Sequence, residues 1–242
     1  MNIQQFWSDV FAQRADEIRN TSTPMPAKRG NSSILDGLTR RGKQEDTSRK
    51  ALKTLGKRQK YCLSTDFYWI GNKPIGGCIG CFQCAKMQRC IFDDKVNEFT
   101  ALAANYDGFI FGSPVYYSGI NGSLMSFMDR VFFSASSQNP HPFRFKPAAA
   151  VVSARRAGTT SALDQINKYF LHQQMPIATS RYWNMVHGNT PDEVRQDEEG
   201  LQIMRYLGRN MAWLLKIKDA GEKIGIELPN QEGHRASTNF IR

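Results

Sequence analysis

The chain has 242 residues, long enough to bury a sizeable core without disulfide bonds, and its 40% hydrophobic and 11% aromatic content excludes a disordered protein. No run reaches the roughly eighteen uncharged apolar residues of a membrane span, and the N-terminus lacks the apolar core of a targeting peptide, so we expect a cytoplasmic protein. Of the net charge of +10, residues 1–66 carry +6, with 13 Lys and Arg against 7 Asp and Glu. The remaining +4 is ordinary for a folded domain and disfavours nucleic-acid binding.

Residues 1–66 differ from the rest of the chain in pattern as well as in charge. Basic pairs such as Arg40-Arg41 and Arg49-Lys50 crowd a stretch without clean periodicity. No β-branched run offers a first buried strand. We therefore expect an atypical basic N-terminal segment, either a solvated helix pair or an arm, ahead of the folded domain.

From residue 67 onward, short apolar runs alternate with helical patterns. Strands are predicted at 67–70, 109–111 and 148–152, with a weaker fourth at 176–179. Four helix starts are indicated by capping residues that precede apolar positions at helical spacing: Asp93 and Asp94 at the first, then Asn121, Ser161 (with Asp164, as in a capping box) and Thr190. The last of them opens a long C-terminal helical region. This alternation is typical of an α/β fold, a parallel sheet covered by helices on both faces.

Four of the five cysteines, Cys78, Cys81, Cys84 and Cys90, fall within thirteen residues. Thiolates at C-x2-C-x2-C spacing can wrap one iron–sulfur cube, with the fourth ligand coming from nearby sequence. A zinc ion is one competitor, although structural zinc sites usually use two separated pairs of ligands. Free thiols, with or without a redox role, are the other. The spacing alone leaves these alternatives open.

Two polar loops follow predicted strands. The loop at 112–117, with Ser113, Tyr116 and Tyr117, comes after the strand at 109–111, and the loop at 153–159, with Arg155 and Arg156, comes after the strand at 148–152. Ligands of open parallel sheets bind outside the carboxyl ends of the strands. Tyrosine rings offer flat surfaces to a planar ligand, and arginines can hold a phosphate or the electron-rich edge of a heterocycle. The two loops therefore predict a binding site.

The stretch at 69–130 resembles the iron–sulfur flavoprotein branch of the NAD(P)H-dependent FMN reductase family. The resemblance rests on the cysteine run, Asp93-Asp94, residues 104–108, the loop at 112–117 and Met128-Asp129-Arg130, and it extends from Arg155 through Asn210. It implies a flavodoxin-like doubly wound parallel sheet over residues 67–228, with a cysteine-rich insert at 76–92 and a C-terminal tail at 229–242.

The resemblance also implies cofactors and partners. FMN would be held by Ser113, Pro114, Val115, Tyr116 and Tyr117 on one loop and by Ser153, Arg156 and Gly158 on the other, and Cys78, Cys81, Cys84 and Cys90 would ligate a [4Fe-4S] cluster. NAD(P)H would be the co-substrate and the electron acceptor is unidentified; the flavin, with no catalytic side chain, would carry the chemistry. We expect a homodimer or homotetramer. A flavodoxin-like electron carrier without nicotinamide turnover is the alternative.

The chain departs from the family at its beginning. The family opens with an apolar strand and a Gly-Ser-Pro-Arg loop that cradles the FMN phosphate, whereas residues 24–32 read Pro-Met-Pro-Ala-Lys-Arg-Gly-Asn-Ser, of which only the final Gly-Asn-Ser agrees. We expect Asn31, Ser32 and Ser33 to form part of the phosphate site through backbone N–H groups. The mismatch leads to the hypothesis that part of residues 1–66 is translated out of frame or from a wrongly chosen start.

Overall fold

Five parallel strands and one short antiparallel strand form the sheet of the computed structural model, which we describe for residues 31–36, 64–231 and 238. The strands are β1 (Asn31–Asp36), β2 (Ser64–Trp69), β3 (Gly108–Tyr116), β4 (Gly119–Ile120), β5 (Ala148–Ala154) and β6 (Met185–His187). Their order is β2-β1-β3-β5-β6, and β4 pairs antiparallel with the end of β3. This is the strand order of a flavodoxin-like sheet, so the fold class predicted from the sequence is confirmed.

The helices lie between the strands and after the last of them. They are α1 (Cys84–Met87), α2 (Lys95–Ala103), α3 (Gly122–Ala135), α4 (Thr159–His172), α5 (Pro191–Val194) and α6 (Glu198–Lys223). Two predicted starts are confirmed, because the side chain of Asp94 accepts from the Val96 N–H and that of Asn121 accepts from the N–H groups of Ser123 and Leu124. Within the described ranges no helix has the length and apolar character to cross a bilayer.

The other two predicted helix starts differ from the structure. Helix α4 begins at Thr159, directly after Gly158 in the left-handed region, so Ser161 lies inside the helix and does not cap it. Thr190 caps only the short α5, where its hydroxyl accepts from the Glu193 N–H. Helix α6 starts afresh at Asp197, whose carboxylate accepts from the Gly200 N–H. The predicted C-terminal helical region is therefore two helices.

Both faces of the sheet are buried. Phe109 and Phe111 of β3 point to one side, where they pack with Phe99 of α2 and Phe127 of α3. Ile110 points to the other side and belongs to a second cluster formed mainly with α6. Successive residues of a strand face opposite sides, and continuous apolar runs are typical of strands covered on both faces. The prediction of a sheet with two covered faces is confirmed.

Strand β1 lies in the N-terminal segment, where the sequence offers no β-branched run for a first buried strand. It occupies an inner position in the sheet, with Ile34 paired to Phe67 of β2 on one side and to Ile110 of β3 on the other. The sequence pattern misses it because Asn-Ser-Ser opens the strand, where an inner parallel strand usually carries a continuous apolar run. The predicted strand at 176–179 forms only one bridge, Ile177 to Ala148, and β6 lies later in the chain.

Candidate functional site

The candidate site lies at the carboxyl edge of the sheet, where the strand order reverses. The chain leaves β1 toward β2 on one side, while β3 lies on the other side of β1. Such a switch point opens a crevice between the loops that leave neighbouring strands. The register aligns Asp36 of β1 with Gly112 of β3, and Pro114 of β3 with Ser153 of β5. The two polar loops predicted from the sequence therefore lie side by side at this edge.

The loop that follows β3 is a tight hairpin. Val115 pairs with Ile120 and Tyr116 pairs with Gly119, so Tyr117 and Ser118 are the two turn residues. Their φ angles are 49° and 59°, the left-handed geometry of a type I′ turn, which residues other than Gly and Asn rarely adopt. Strain of this kind occurs where a loop must present a side chain. Here the turn presents the exposed rings of Tyr116 and Tyr117.

Ser113 has a structural role in this loop. The residue is buried, its hydroxyl donates to the Pro114 carbonyl at 2.8 Å, and it accepts from the Asn121 N–H at 2.9 Å. Asn121 in turn caps α3. The hydroxyl thus ties the end of β3 to the start of α3 and shapes the loop from within. Pro114 is also buried and Val115 is half-buried, so the exposed surface of this loop belongs to the two tyrosines.

The loop between β5 and α4 meets the tyrosine hairpin at Gly158. Its φ is +87°, and a Cβ atom placed on it would lie 2.6 Å from the Cα of Ser118. Only glycine fits both the left-handed backbone and this close approach. Arg155 and Arg156 are exposed beside it, Ser153 is buried at the end of β5, and the first N–H groups of α4 follow. The structure therefore joins the two loops into one surface.

The end of β6 is tied to α6 by Asp197, a residue that sequence reasoning missed. Asp197 accepts from the His187 N–H at 2.7 Å while it caps α6, and the Gly188 N–H donates to the Ala154 carbonyl at 3.0 Å. An Asp followed by two Glu is a helix-start signal, so Asp197 could have been found as a cap. Nearby, Trp183 is exposed and contacts Tyr182 edge-to-face.

Asn31, Ser32 and Ser33 are not brought to this edge. They open β1, and Ser33 pairs with Phe109, four residues before Ser113, which is roughly 13 Å along the strand. These three residues therefore lie at the amino end of β1, and their part in a phosphate site stays a prediction. Residues 24–30 of the predicted phosphate loop, and residues 37–63 that follow β1 in the chain, lie outside the described residues.

The cysteine segment, residues 76–92, packs against α2 and α3. Cys78 and Cys81 are exposed, Cys84 is buried at the start of α1, and Cys90 is half-buried. Across the part of the chain that the structure describes, no three His, Cys, Asp or Glu side chains are gathered as a metal-binding group. The four thiols are nevertheless the donor type that an iron–sulfur cluster uses, so the residues fit such a group in chemistry.

A buried arginine that the sequence did not single out for chemistry holds this segment. The Arg130 side chain is 1% exposed and forms a two-pronged ion pair with Asp94, at 2.7 Å and 2.9 Å. Its Nε donates to the Cys90 Sγ at 3.3 Å, and its other N–H groups reach the carbonyls of Gly76 and Phe92. Burial acts to lower the pKa of Arg130, but its hydrogen bonds to Asp94 and Cys90 outweigh burial and raise it. The guanidinium is therefore charged.

The comparisons with known proteins agree with this geometry. A family model described as NADPH-dependent FMN reductase matches residues 34–190, a range that holds both loops and the cysteine segment. The chain belongs to this family. FMN reductase membership makes the chain a flavin-dependent oxidoreductase that binds FMN. The match begins inside β1, so the similarity to the family starts earlier than residue 69, where the resemblance found in the sequence begins.

Individual relatives in the FMN reductase family carry the name iron–sulfur flavoprotein. One from Methanocaldococcus jannaschii is 31% identical over 162 residues, covering 64% of this chain and 82% of that protein. Another, from Archaeoglobus fulgidus, is 27% identical over 193 residues, covering 75% and 95%. Among solved structures, the Trp repressor binding protein from Bacillus subtilis has a TM-score of 0.50 at 18% identity, over 73% of this chain and 98% of that one. RosB with a bound flavin intermediate has a TM-score of 0.52 at 10% identity, over 88% and 93%. At these identities the structures support the fold alone.

Proposed function

We propose that this flavoprotein transfers electrons between a nicotinamide dinucleotide, bound FMN and a [4Fe-4S] cluster held by Cys78, Cys81, Cys84 and Cys90. The observation that carries the flavin part is the meeting of the tyrosine hairpin and the β5–α4 loop at Gly158, at the switch point of the sheet and inside the range that the family model matches. When bound, the flavin would take up a hydride and release electrons singly, and the cluster would carry one electron at a time.

The residues at the carboxyl edge suit a planar, negatively charged ligand. The exposed rings of Tyr116 and Tyr117 supply flat apolar surface for the flavin ring. Arg156, beside the positive N-terminal end of α4, supplies charge for its electron-rich edge. Ser113 keeps the hairpin in place through its two hydrogen bonds. No side chain at this edge is needed as an acid or a base, since hydride transfer to a flavin is the cofactor's own chemistry.

The cysteine segment supports the second cofactor through its donor set and through the names of its relatives. The spacing C-x2-C-x2-C-x5-C presents four thiols in a short loop that turns at Gly80, Phe82 and Gln88, all with positive φ. Both relatives described above are called iron–sulfur flavoproteins. The alternatives to the cluster are a zinc ion bound by these cysteines and four free thiols.

The test is made on the full chain purified without oxygen. We expect a two-banded flavin spectrum over a broad shoulder and close to four iron atoms for each chain. The flavin bands and the shoulder should both bleach when NADPH or NADH is added. Turnover should follow when ferricyanide is supplied as a one-electron acceptor. The matched pair Gly158→Ala and Gly208→Ala separates a specific loss from a general one, because only the first glycine has a positive φ and a close neighbour.

Each alternative has its own result. If dithionite reduces the flavin but neither NADPH nor NADH does, the protein is an electron carrier. Flavin bands without iron, or with zinc, would remove the cluster and leave the reductase. A protein that stays colourless after incubation with FMN would overturn the proposal for this chain.

We also propose a homodimer or homotetramer. Apolar side chains on α6, Trp213 and Ile217, and on the segment after it, Ile224 and Ile226, are exposed on the described surface, and large exposed apolar patches usually mark an interface. Sedimentation of the full chain measures the mass directly, and a monomer at all concentrations would contradict this proposal.

A further inference from the structure

A single side chain from outside the cysteine segment binds both ends of the segment and so closes it. Arg130 comes from α3, yet it donates to the Gly76 carbonyl before the first cysteine and to the Phe92 carbonyl after the last. Its guanidinium carbon also lies 4.9 Å from the centre of the Phe92 ring. Among the described residues, Arg130 is the one charged side chain that is fully buried. One guanidinium thus fixes the distance between the two ends of the segment.

Cys90 is the cysteine that this arrangement holds most firmly. The Asn97 side chain accepts from the Cys90 N–H at 3.0 Å and donates to the Cys90 carbonyl at 2.9 Å. The Arg130 Nε then points an N–H at the sulfur itself, at 3.3 Å. Backbone and side chain of Cys90 are therefore both fixed, whereas Cys78 and Cys81 are exposed.

Asp94 explains why the guanidinium stays where it is. Its carboxylate binds Arg130 through both oxygens while one of them also accepts from the Val96 N–H at the start of α2. Two parallel N–H···O bonds orient a guanidinium as well as neutralise it. The plane of the Arg130 fork is thereby set, and with it the direction of the Nε–H bond toward Cys90.

We propose that Arg130 is a positioning residue that closes the cysteine segment and places a hydrogen-bond donor on the Cys90 sulfur, where it favours the reduced form of a cluster bound there. The second half of this proposal rests on the proposed function, since it requires the cluster. An N–H bond to a ligating sulfur stabilises the added negative charge of a reduced cluster, and such bonds are among the factors that set cluster potentials. The first half concerns the protein alone.

The variant that tests it is Arg130→Lys, which keeps the positive charge and can still pair with Asp94, but cannot form the fork that reaches Cys90 and both carbonyls. Arg89→Lys is the matched control. Arg89 is the neighbour of Cys90 in sequence, is exposed, and among the residues that the structure describes its ion pair is with the exposed Asp93, at 3.2 Å. Both variants replace an arginine near Cys90 by a lysine, but only Arg130 contacts the Cys90 sulfur.

Two readouts are taken on the proteins as purified without oxygen. Hydrogen exchange of peptides from residues 76–92 should become at least about tenfold faster in Arg130→Lys than in the wild type, since several hydrogen bonds to a charged group are lost. Arg89→Lys should leave it unchanged. Where iron is present, the midpoint potential of the cluster should fall in Arg130→Lys and stay at the wild-type value in Arg89→Lys; a tenfold change in the reduction equilibrium corresponds to about 59 mV.

The outcomes separate the two proposals. Wild-type protein without iron refutes the cluster, and the exchange measurement still decides whether Arg130 closes the segment. Exchange in Arg130→Lys equal to that in Arg89→Lys overturns the positioning role. An unchanged potential in an iron-loaded Arg130→Lys protein overturns the effect on Cys90.

Discussion

The carboxyl-edge loops and the cysteine segment both turn at residues with positive φ, but they are anchored differently. At the carboxyl edge the two loops meet where Gly158 approaches Ser118, and the side chains of Tyr116, Tyr117, Arg155 and Arg156 are exposed. In the cysteine segment the side chains of Arg130, Asp94 and Asn97 hold the ends through hydrogen bonds. The exposed side chains of the carboxyl edge can therefore be changed without loss of the fold, whereas the cysteine segment depends on one buried side chain.

Arg130→Met should give the largest effect. The change leaves Asp94 without its partner and removes the donors to Cys90, Gly76 and Phe92, so we expect the free energy of unfolding to fall by about 3 kcal/mol. Urea unfolding measures the loss. Arg89→Met, which breaks only an exposed ion pair, should stay within about 0.5 kcal/mol of the wild type. Equal losses in the two variants would remove the contrast between the regions.

Gly158→Ala should be next. The new methyl group would lie 2.6 Å from the Ser118 Cα and the residue would keep a φ of +87°, so we expect a loss of about 2 kcal/mol in unfolding free energy together with a loss of FMN binding. Gly208→Ala, inside α6 with open space around it, should instead stabilise the protein by about 1 kcal/mol. Normal FMN binding by Gly158→Ala would show that the two loops do not need their close contact.

Lys146 is a partly buried cation that, unlike Arg130, has no carboxylate at hydrogen-bond distance among the described residues. Its Nζ donates to the Ala103 carbonyl at 2.8 Å, and burial lowers its pKa from 10.5 to about 8. The folded protein therefore releases this proton at a lower pH than the unfolded chain, and stability should rise as the pH increases from 8 toward 10. Partial exposure limits the gain to about 1.5 kcal/mol.

Urea unfolding at pH 7, 8, 9 and 10 measures this gain, and Lys146→Met should flatten the curve. Burial raises the pKa values of Tyr68 and Tyr169, so tyrosine ionisation in the unfolded chain destabilises the fold above pH 10 and closes the window there. The same slope in Lys146→Met and in the wild type would assign the pH dependence to other groups.

The smallest effect should come from an exposed ring of the carboxyl edge. Tyr117→Ala removes stacking surface without touching the core, so we expect about fivefold weaker FMN binding, close to 1 kcal/mol, and unchanged stability. Fluorescence titration with FMN measures the affinity. Tyr206→Ala, which removes a partly exposed ring from α6, is the control and should bind FMN normally. A Tyr117→Ala protein with wild-type affinity would place the flavin ring elsewhere.

The elements that local chemistry specifies were predictable from the sequence. Asp94 and Asn121 cap their helices because a short acceptor side chain directly before an apolar periodic stretch satisfies the first free N–H groups. Strands β3 and β5 are continuous apolar runs, as buried parallel strands are. The helix start at Ser161 was predicted wrongly because two local signals for the start of α4 compete. Ser161 has the form of a cap, but the left-handed Gly158 starts α4 before it.

Within the candidate site the tyrosine and arginine loops were predicted, but their mutual contact was not. The close approach of Ser118 to Gly158 depends on the register between β3 and β5, which no local pattern encodes. Arg130 was quoted only as part of a family motif, because an arginine in an amphipathic helix ordinarily faces solvent. Its burial is explained by Asp94, thirty-six residues earlier in the chain, whose carboxylate oxygen lies 2.7 Å from a guanidinium nitrogen of Arg130.

The α/β class, two helix starts, the four-thiol spacing and the family could be predicted from the sequence, because each depends on residues that are neighbours in the chain or on a motif read along it. Only the folded structure shows that 31–36 is an inner strand, that Asn31, Ser32 and Ser33 open this strand at its amino end, and that one buried arginine closes the cysteine segment. The physical reason is that strand pairing and the burial of charge draw their free energy from partners distant in sequence, which only the folded chain brings together.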